Sequence, residues 1–328
     1  MKLGTLLLTA LIVFTSCVTN PPNNPIEVKN FERVFITANI HGAEIFVDDI
    51  STGKVTPDTV SVEVGERVIK IVKENFDPSV KTISVVKGAK LSVEFILSAA
   101  QTNKIVLIED FANVSCDPCV VSNQILHSIE KYTYDSKKLV VIKYPTNFPS
   151  SSDPFFFETA QNSTTRINLY NILFVPTIYV DGILKPLPQD STEIKNKIAE
   201  RLNETAKFEI TVSDSIDGNT VFIKTKVRAI DITGLDMNEF ILHNVLTETN
   251  IEFSSPPGSN GETKFYNVMR DMLPNYNGET LNGLVSEQTI EFNYQTQISS
   301  NWSISNINTV AFIQNKNTKE VLQAGSTF

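Results

Sequence analysis

Cysteine is scarce in this 328-residue chain, with Cys17, Cys116 and Cys119 as its three examples. A small scaffold held together by many disulfides is therefore excluded. Positive charge is also short: 28 Lys and Arg face 37 Asp and Glu, for a net charge of −9. No basic block or stripe of Lys and Arg occurs, which excludes nucleic acid as a partner. Long hydrophobic runs are missing too, since no stretch reaches the ~18 consecutive apolar residues of a helical membrane span. What is present is ample core material. Hydrophobic residues make up 41% of the chain, enough for two or three domains.

The chain opens "MKLGTLLLTALIVFTSC". Lys2 followed by the short apolar core Leu6 to Phe14 has the form of a secretory signal. Small residues Thr15 and Ser16 lead into Cys17. This resembles the lipobox of bacterial lipoproteins, with Phe14 standing where leucine is usual. The resemblance implies cleavage after residue 16 and lipid on Cys17, which would attach the protein to the outer membrane. Residues 17–32, with "VTNPPNNP", read as a tether that cannot hold regular structure. An envelope compartment permits disulfides, and Cys116 and Cys119 remain to form one.

Residues 33–97 alternate with period two in "RVFITANI", "AEIFVDD", "TVSVEV", "RVIKIVKE", "KTISVVK" and "KLSVEFIL". Turn residues separate the segments, so a small β-sandwich is expected. "GAEIFVDD", "TGKVTPDTV" and "VGERVIKIVKENF" follow the order of the PEGA domain, which this block resembles. The resemblance implies a binding or spacer module, with a cell-wall or carbohydrate ligand as its natural partner class. His41, before Gly42, reads as a turn residue.

A polar linker spans 98–103. Residues 104–206 change pattern, because "KIVLIEDFA", "KLVVIKYPT" and "VPTIYVDG" alternate with helical stretches. An α/β layer with parallel pairing is expected there. Residues 207–328 are strand-rich again, and Asp217-Gly218 between two alternating runs marks a hairpin. The fold class expected is therefore multidomain α/β plus all-β, closing with a second β-sandwich.

Cys116 and Cys119 sit at a helix start in "FANVSCDPCVVSNQILHSIEKY". Unpaired N–H groups and the helix dipole stabilise a thiolate there. The second cysteine, one turn on, can resolve a mixed disulfide. Pro118 suits the first turn, while Asp117 disfavours the adjacent thiolate. Zinc would need about four ligands. No second pair exists, and His127 lies about 12 Å further along the helix. No metal or cofactor is expected. A plain structural disulfide is the alternative, with modest entropic benefit in so short a loop.

The strand before the pair, Asp110 six residues ahead of Cys116, and "VPTIYVDG" together resemble the thioredoxin fold. That resemblance implies Asp110 as a proton acceptor for Cys119 and Pro176 as a cis-proline facing the pair. Ser115 replaces that fold's tryptophan, and Asp-Pro replaces its Gly-Pro. From "YNVMRDMLPNYNGETL" and "VAFIQNKNTKEVLQA", residues from Lys104 on resemble the outer-membrane-protein-28-related lipoproteins. That implies an outer-membrane lipoprotein facing the periplasm, with no established reaction. Arg270 and Asp271 read as a structural ion pair. Two functions stay open. One is thiol–disulfide exchange with envelope proteins, in which Cys116 attacks, Cys119 resolves, Pro176 orients and Asp110 assists, more reducing or isomerising than strongly oxidising. The other is a non-enzymatic binding or assembly lipoprotein in which the same fold is a scaffold.

Overall fold

A computed structural model describes residues 29–74, 76–98 and 102–328. The chain divides into two compact units, one up to Ala100 and one from Gln101.

The first unit consists of β1 (Phe31–Ala38), β2 (Glu44–Val47), β3 (Ile50–Val55), β4 (Asp58–Glu63), β5 (Gly65–Val72), β6 (Ser79–Val85) and β7 (Leu91–Phe95). One sheet runs β4-β1-β7 and the other β3-β2-β5-β6. Alternate residues such as Val34, Ile36, Val60, Val62, Ile69, Ile71 and Phe95 meet in a wholly apolar core. Period-two patterning produces this directly, because each strand turns one face inward. Between β2 and β3, Asp48 and Asp49 both take positive φ. That is the geometry of a two-residue hairpin turn matching the strand twist.

The second unit consists of β8 (Val106–Ala112), α1 (Asp117–Tyr132), β9 (Leu139–Pro145), α2 (Pro154–Tyr170), β10 (Thr177–Val180), α3 (Ser191–Leu202), β11 (Phe208–Asp217), β12 (Thr220–Ala229), β13 (Phe240–Glu248), β14 (Ile251–Glu252), β15 (Lys264–Phe265), β16 (Val268–Leu273), β17 (Glu279–Thr280), β18 (Thr289–Gln297), β19 (Ile307–Asn315) and β20 (Val321–Ser326). Its main sheet has eight strands, in the order β10-β8-β9-β16-β13-β19-β20, with β17 paired to β13. β8 and β9 run parallel, while β10 is antiparallel to β8. β11-β12-β18 form a separate antiparallel sheet, and the Gly218 turn joins β11 to β12.

This corrects the expected fold class. Among the described residues strand accounts for 44% and helix for 17%, in several sheets, and no thioredoxin-like α/β domain is evident. Residues 104–206 do not close a sheet of their own. β9 pairs onward with β16, through Lys143 and Val268 and the bond from Lys143 N–H to the Asn267 carbonyl (2.8 Å). One face of β8 and β9 packs against α1 and α3, through Val106, Ile108, Leu126, Ile129, Ile194 and Ile198. The other face shares a core with the C-terminal strands, where Phe111, Ile142 and Tyr144 meet Met269, Val310 and Phe312. The expected second sandwich is likewise not a separate body, since β13, β16, β19 and β20 belong to the shared sheet.

Buried charges fasten these parts. The Asp181 carboxylate receives Lys104 and Arg201 at 2.8 Å each, and Arg201 also reaches Glu320 at 2.7 Å. Gly182 has φ +72°, and a Cβ there would lie 2.0 Å from the Lys319 carbonyl oxygen. Only glycine admits that approach of the two chain segments. Arg166 pairs with Glu109 and donates to Gln314 at 2.8 Å. Arg270 and Asp271 do not pair with each other. Arg270 holds Glu248 and Glu158, while Asp271 accepts from Asn162 and Thr296.

Candidate functional site

β8 leads through Asn113, Val114 and Ser115 into α1. The connection is tightly bonded. Asn113 donates to the Thr146 and Ser150 carbonyls at 2.6 and 2.9 Å and accepts from Ser115 N–H at 2.9 Å. Asp153 caps α2, accepting from Phe155 and Phe156 N–H, and its second oxygen accepts from Val114 N–H at 2.9 Å.

Cys116 is the N-cap of α1, Pro118 lies in the first turn, and Cys119 is one turn inside. The two cysteines form a disulfide. Cys116 is 3% exposed and Cys119 0%. They cluster with Ala112 and the half-buried Val175. The Val175–Pro176 peptide bond is cis, and Pro176 is half-buried. The structure therefore brings Cys116, Cys119 and the residue before Pro176 together. Cys17 lies outside the described residues.

Asp110 is fully buried on β8. Its Oδ2 receives Lys143 Nζ at 2.8 Å, and its Oδ1 has no hydrogen-bond partner. Lys143 also donates to Asn123 Oδ1, and the Asn123 amide donates to both Glu262 oxygens, at 2.9 and 2.8 Å. A polar chain thus runs Asp110, Lys143, Asn123, Glu262 beside α1. Burial raises the Glu262 carboxyl above its ordinary range. Glu130, one helical turn from Leu126 on the same helix, is pushed up to about 8, mainly by burial, although Asn267 donates to it at 2.7 Å. His127 stacks on Tyr266 with centroids 3.8 Å apart, and burial lowers its pKa. Among the described residues no group of three His, Cys, Asp or Glu stands close enough to hold a metal.

Lys143, Asn123 and Glu262 were not singled out in the sequence. A lysine inside "LVVIKYP", a strand buried along its whole length, was the available signal, because a buried lysine requires an acidic partner. Glu262 carried none, being 139 residues from Asn123.

Between β14 and β15 a strap, residues 254–262, reaches the cysteine segment. Ser259 N–H donates to Ser115 Oγ (3.2 Å), Asn260 N–H to the Val114 carbonyl (3.3 Å), and the Asn260 amide to the Cys116 carbonyl (3.3 Å).

A buried disulfide at a helix start, in a β-rich body, defines a protein of an oxidising compartment. Residues 163–327 match the family described as outer membrane protein Omp28, and residues 31–101 match the PEGA domain. The chain belongs to the Omp28 family and carries a PEGA domain. It is an outer-membrane protein of the cell envelope. Among the described residues no helix is long and apolar enough to cross a membrane.

HBP35 of Porphyromonas gingivalis is similar in structure over 69% of this chain and 76% of its own, with 16% identity and a TM-score of 0.59, a likeness of fold. A domain of the outer membrane lipoprotein Omp28 from Porphyromonas gingivalis matches over 37% of this chain and 86% of its own, at 20% identity and a TM-score of 0.25. A protein from Agrobacterium tumefaciens matches over 69% of this chain and 95% of its own, at 13% identity and a TM-score of 0.45. Among the curated proteins none matches.

Proposed function

We propose that this outer-membrane lipoprotein exchanges thiols and disulfides with envelope proteins through Cys116 and Cys119, held at the periplasmic side by lipid on Cys17. The observation that carries the reading is the disulfide at the N-terminus of α1, with Cys116 at the N-cap and Cys119 one turn inside. The helix start favours a thiolate on Cys116 when the pair is reduced. That thiolate attacks a partner disulfide, forming a mixed disulfide and releasing one partner thiolate. Cys119 then attacks Cys116, releasing the second partner thiolate and re-forming the internal bond. The partner gains two electrons and the pair loses them, so an envelope dithiol must re-reduce it. Pro176 orients the partner chain and Asp110 takes the proton of Cys119.

The burial of both sulfurs favours a second reading, in which the disulfide only secures the loop and the body serves binding or assembly, with the PEGA domain taking a cell-wall or carbohydrate ligand. Trapping separates the two. Under the exchange reading, Cys119→Ser accumulates mixed disulfides with envelope proteins through Cys116, and Cys116→Ser accumulates few. If neither variant traps a partner and both lose stability, the disulfide is structural.

A further inference from the structure

Ala112 and Val175 pack against the Cys116–Cys119 pair, and a second segment, the strap 254–262, rests on the backbone that leads into it. The strap 254–262 is fixed at its base by the pairing of Ile251 with Phe265 and Glu252 with Lys264, and by Phe253 N–H to the Thr263 carbonyl at 2.9 Å. Phe253 and Phe265 pack edge-on against Phe155, with centroids 5.8 and 5.0 Å away. The base is therefore rigid. The tip differs: Ser254 to Pro256, Ser259 and Gly261 are exposed. It meets the cysteine segment through hydrogen bonds to Ser115 Oγ and to the Val114 and Cys116 carbonyls. At Gly258 a Cβ would lie 2.2 Å from the Val114 carbonyl oxygen, so the strap backbone rests directly on the residues before the disulfide. Beyond the tip, Glu262 is tied to Asn123 of α1.

An exposed tip held by a few long hydrogen bonds of 3.2–3.3 Å, one of them exposed, has the marks of a segment that opens locally, below the free energy of global unfolding. We propose that the strap 254–262 is a gate over the Cys116–Cys119 disulfide, and that a thiol reaches the sulfurs only when the tip lifts off Val114, Ser115 and Cys116. The purpose of the gate rests on the exchange reading above. It would keep the oxidised pair from reacting with every small thiol and admit a partner that displaces the strap.

The test uses the full chain, oxidised, with excess dithiothreitol. A dithiothreitol thiolate attacks one sulfur and the other cysteine leaves as thiolate. The second dithiothreitol thiol then closes its own cyclic disulfide and frees the first cysteine, so the reagent is oxidised and the pair reduced. Gly258→Ala puts a methyl group against Val114, and Asn260→Ala removes the bond to Cys116. Each is expected to speed reduction about tenfold, the loss of closed-state preference that one or two hydrogen bonds confer. The rate should be flat in low denaturant, since local opening exposes little surface, whereas access by global unfolding would rise steeply. Three results overturn the gate. They are wild-type reduction as fast as that of a peptide covering residues 111–132, variants no faster than wild type, and a steep denaturant dependence in wild type. The exchange reading fails separately. If Gly258→Ala accelerates reduction yet Gly258→Ala with Cys119→Ser traps no envelope protein, the gate stands and the exchange reading falls.

Discussion

The two units solve the problem of burial in opposite ways. The first buries hydrocarbon and, among its described residues, no ion pair: its core is Val, Ile, Ala, Leu and Phe, Thr56 is a buried polar side chain beside it, and its ion pairs, such as Lys54–Asp58 and Arg67–Glu63, keep substantial exposure. The second buries charge. Lys104–Asp181, Lys143–Asp110, Arg166–Glu109, Arg201–Asp181 and Arg270–Glu248 each have both side chains at 10% exposure or less. Apolar burial stabilises without direction. Buried pairs add little net stability but are intolerant of losing one partner. The second unit therefore depends on particular residues, the first on a pattern.

The largest effect follows from breaking a pair. Arg166→Met leaves Glu109 buried without its cation, although Tyr170 still donates to it. The expected cost is about 3–5 kcal/mol. Each unit has its own core, so calorimetry should show two transitions, with only that of the second unit collapsing. If the first moves equally, the units are not independent. Ile71→Ala, fully buried in the first unit, makes the converse test. About 2–5 kcal/mol should be lost, from transfer and cavity, and only from the first transition.

The most gradual effect is a pH dependence confined to the second unit. Glu130, buried beside Asn267 and within reach of the charges of Lys143 and Asp110, has a folded pKa of about 8 against an ordinary 4.5. The folded state then binds more protons than the unfolded one between those values. Stability is fully present below about pH 4.5 and is lost as pH rises through 8, by at most about 1.4 kcal/mol per pH unit. Glu130→Gln should flatten the second transition's pH profile and raise its midpoint a few degrees at pH 8. An unchanged profile would show that Glu130 is ionised in the fold.

The same contrast explains what was legible. The strands of the first unit could be read because alternation alone determines which face turns inward. The cysteine pair and its helix could be read because Pro118 and the apolar period after it are local. The sheet of the second unit could not. Nothing in "LVVIKYP" indicates that its next neighbour is "VMRDML", more than 120 positions later, and β9 therefore looked like a strand of a closed α/β domain. The strap was hidden for the same reason. "SSPPGSNGE" reads as any turn-rich loop, and only tertiary structure brings Asn260 to Cys116.

The single junction between β9 and β16 also bears on how the molecule is made. The chain emerges N-terminus first, so β8, β9 and β10 exist before β16 does. Until Val268 arrives beside Lys143, β9 has an open edge able to pair with any passing strand, and one face of Phe111 and Tyr144 is bare. The strap also arrives late. Newly made protein thus passes through an interval in which Val114, Ser115 and Cys116 lack the hydrogen bonds that residues 259 and 260 later supply.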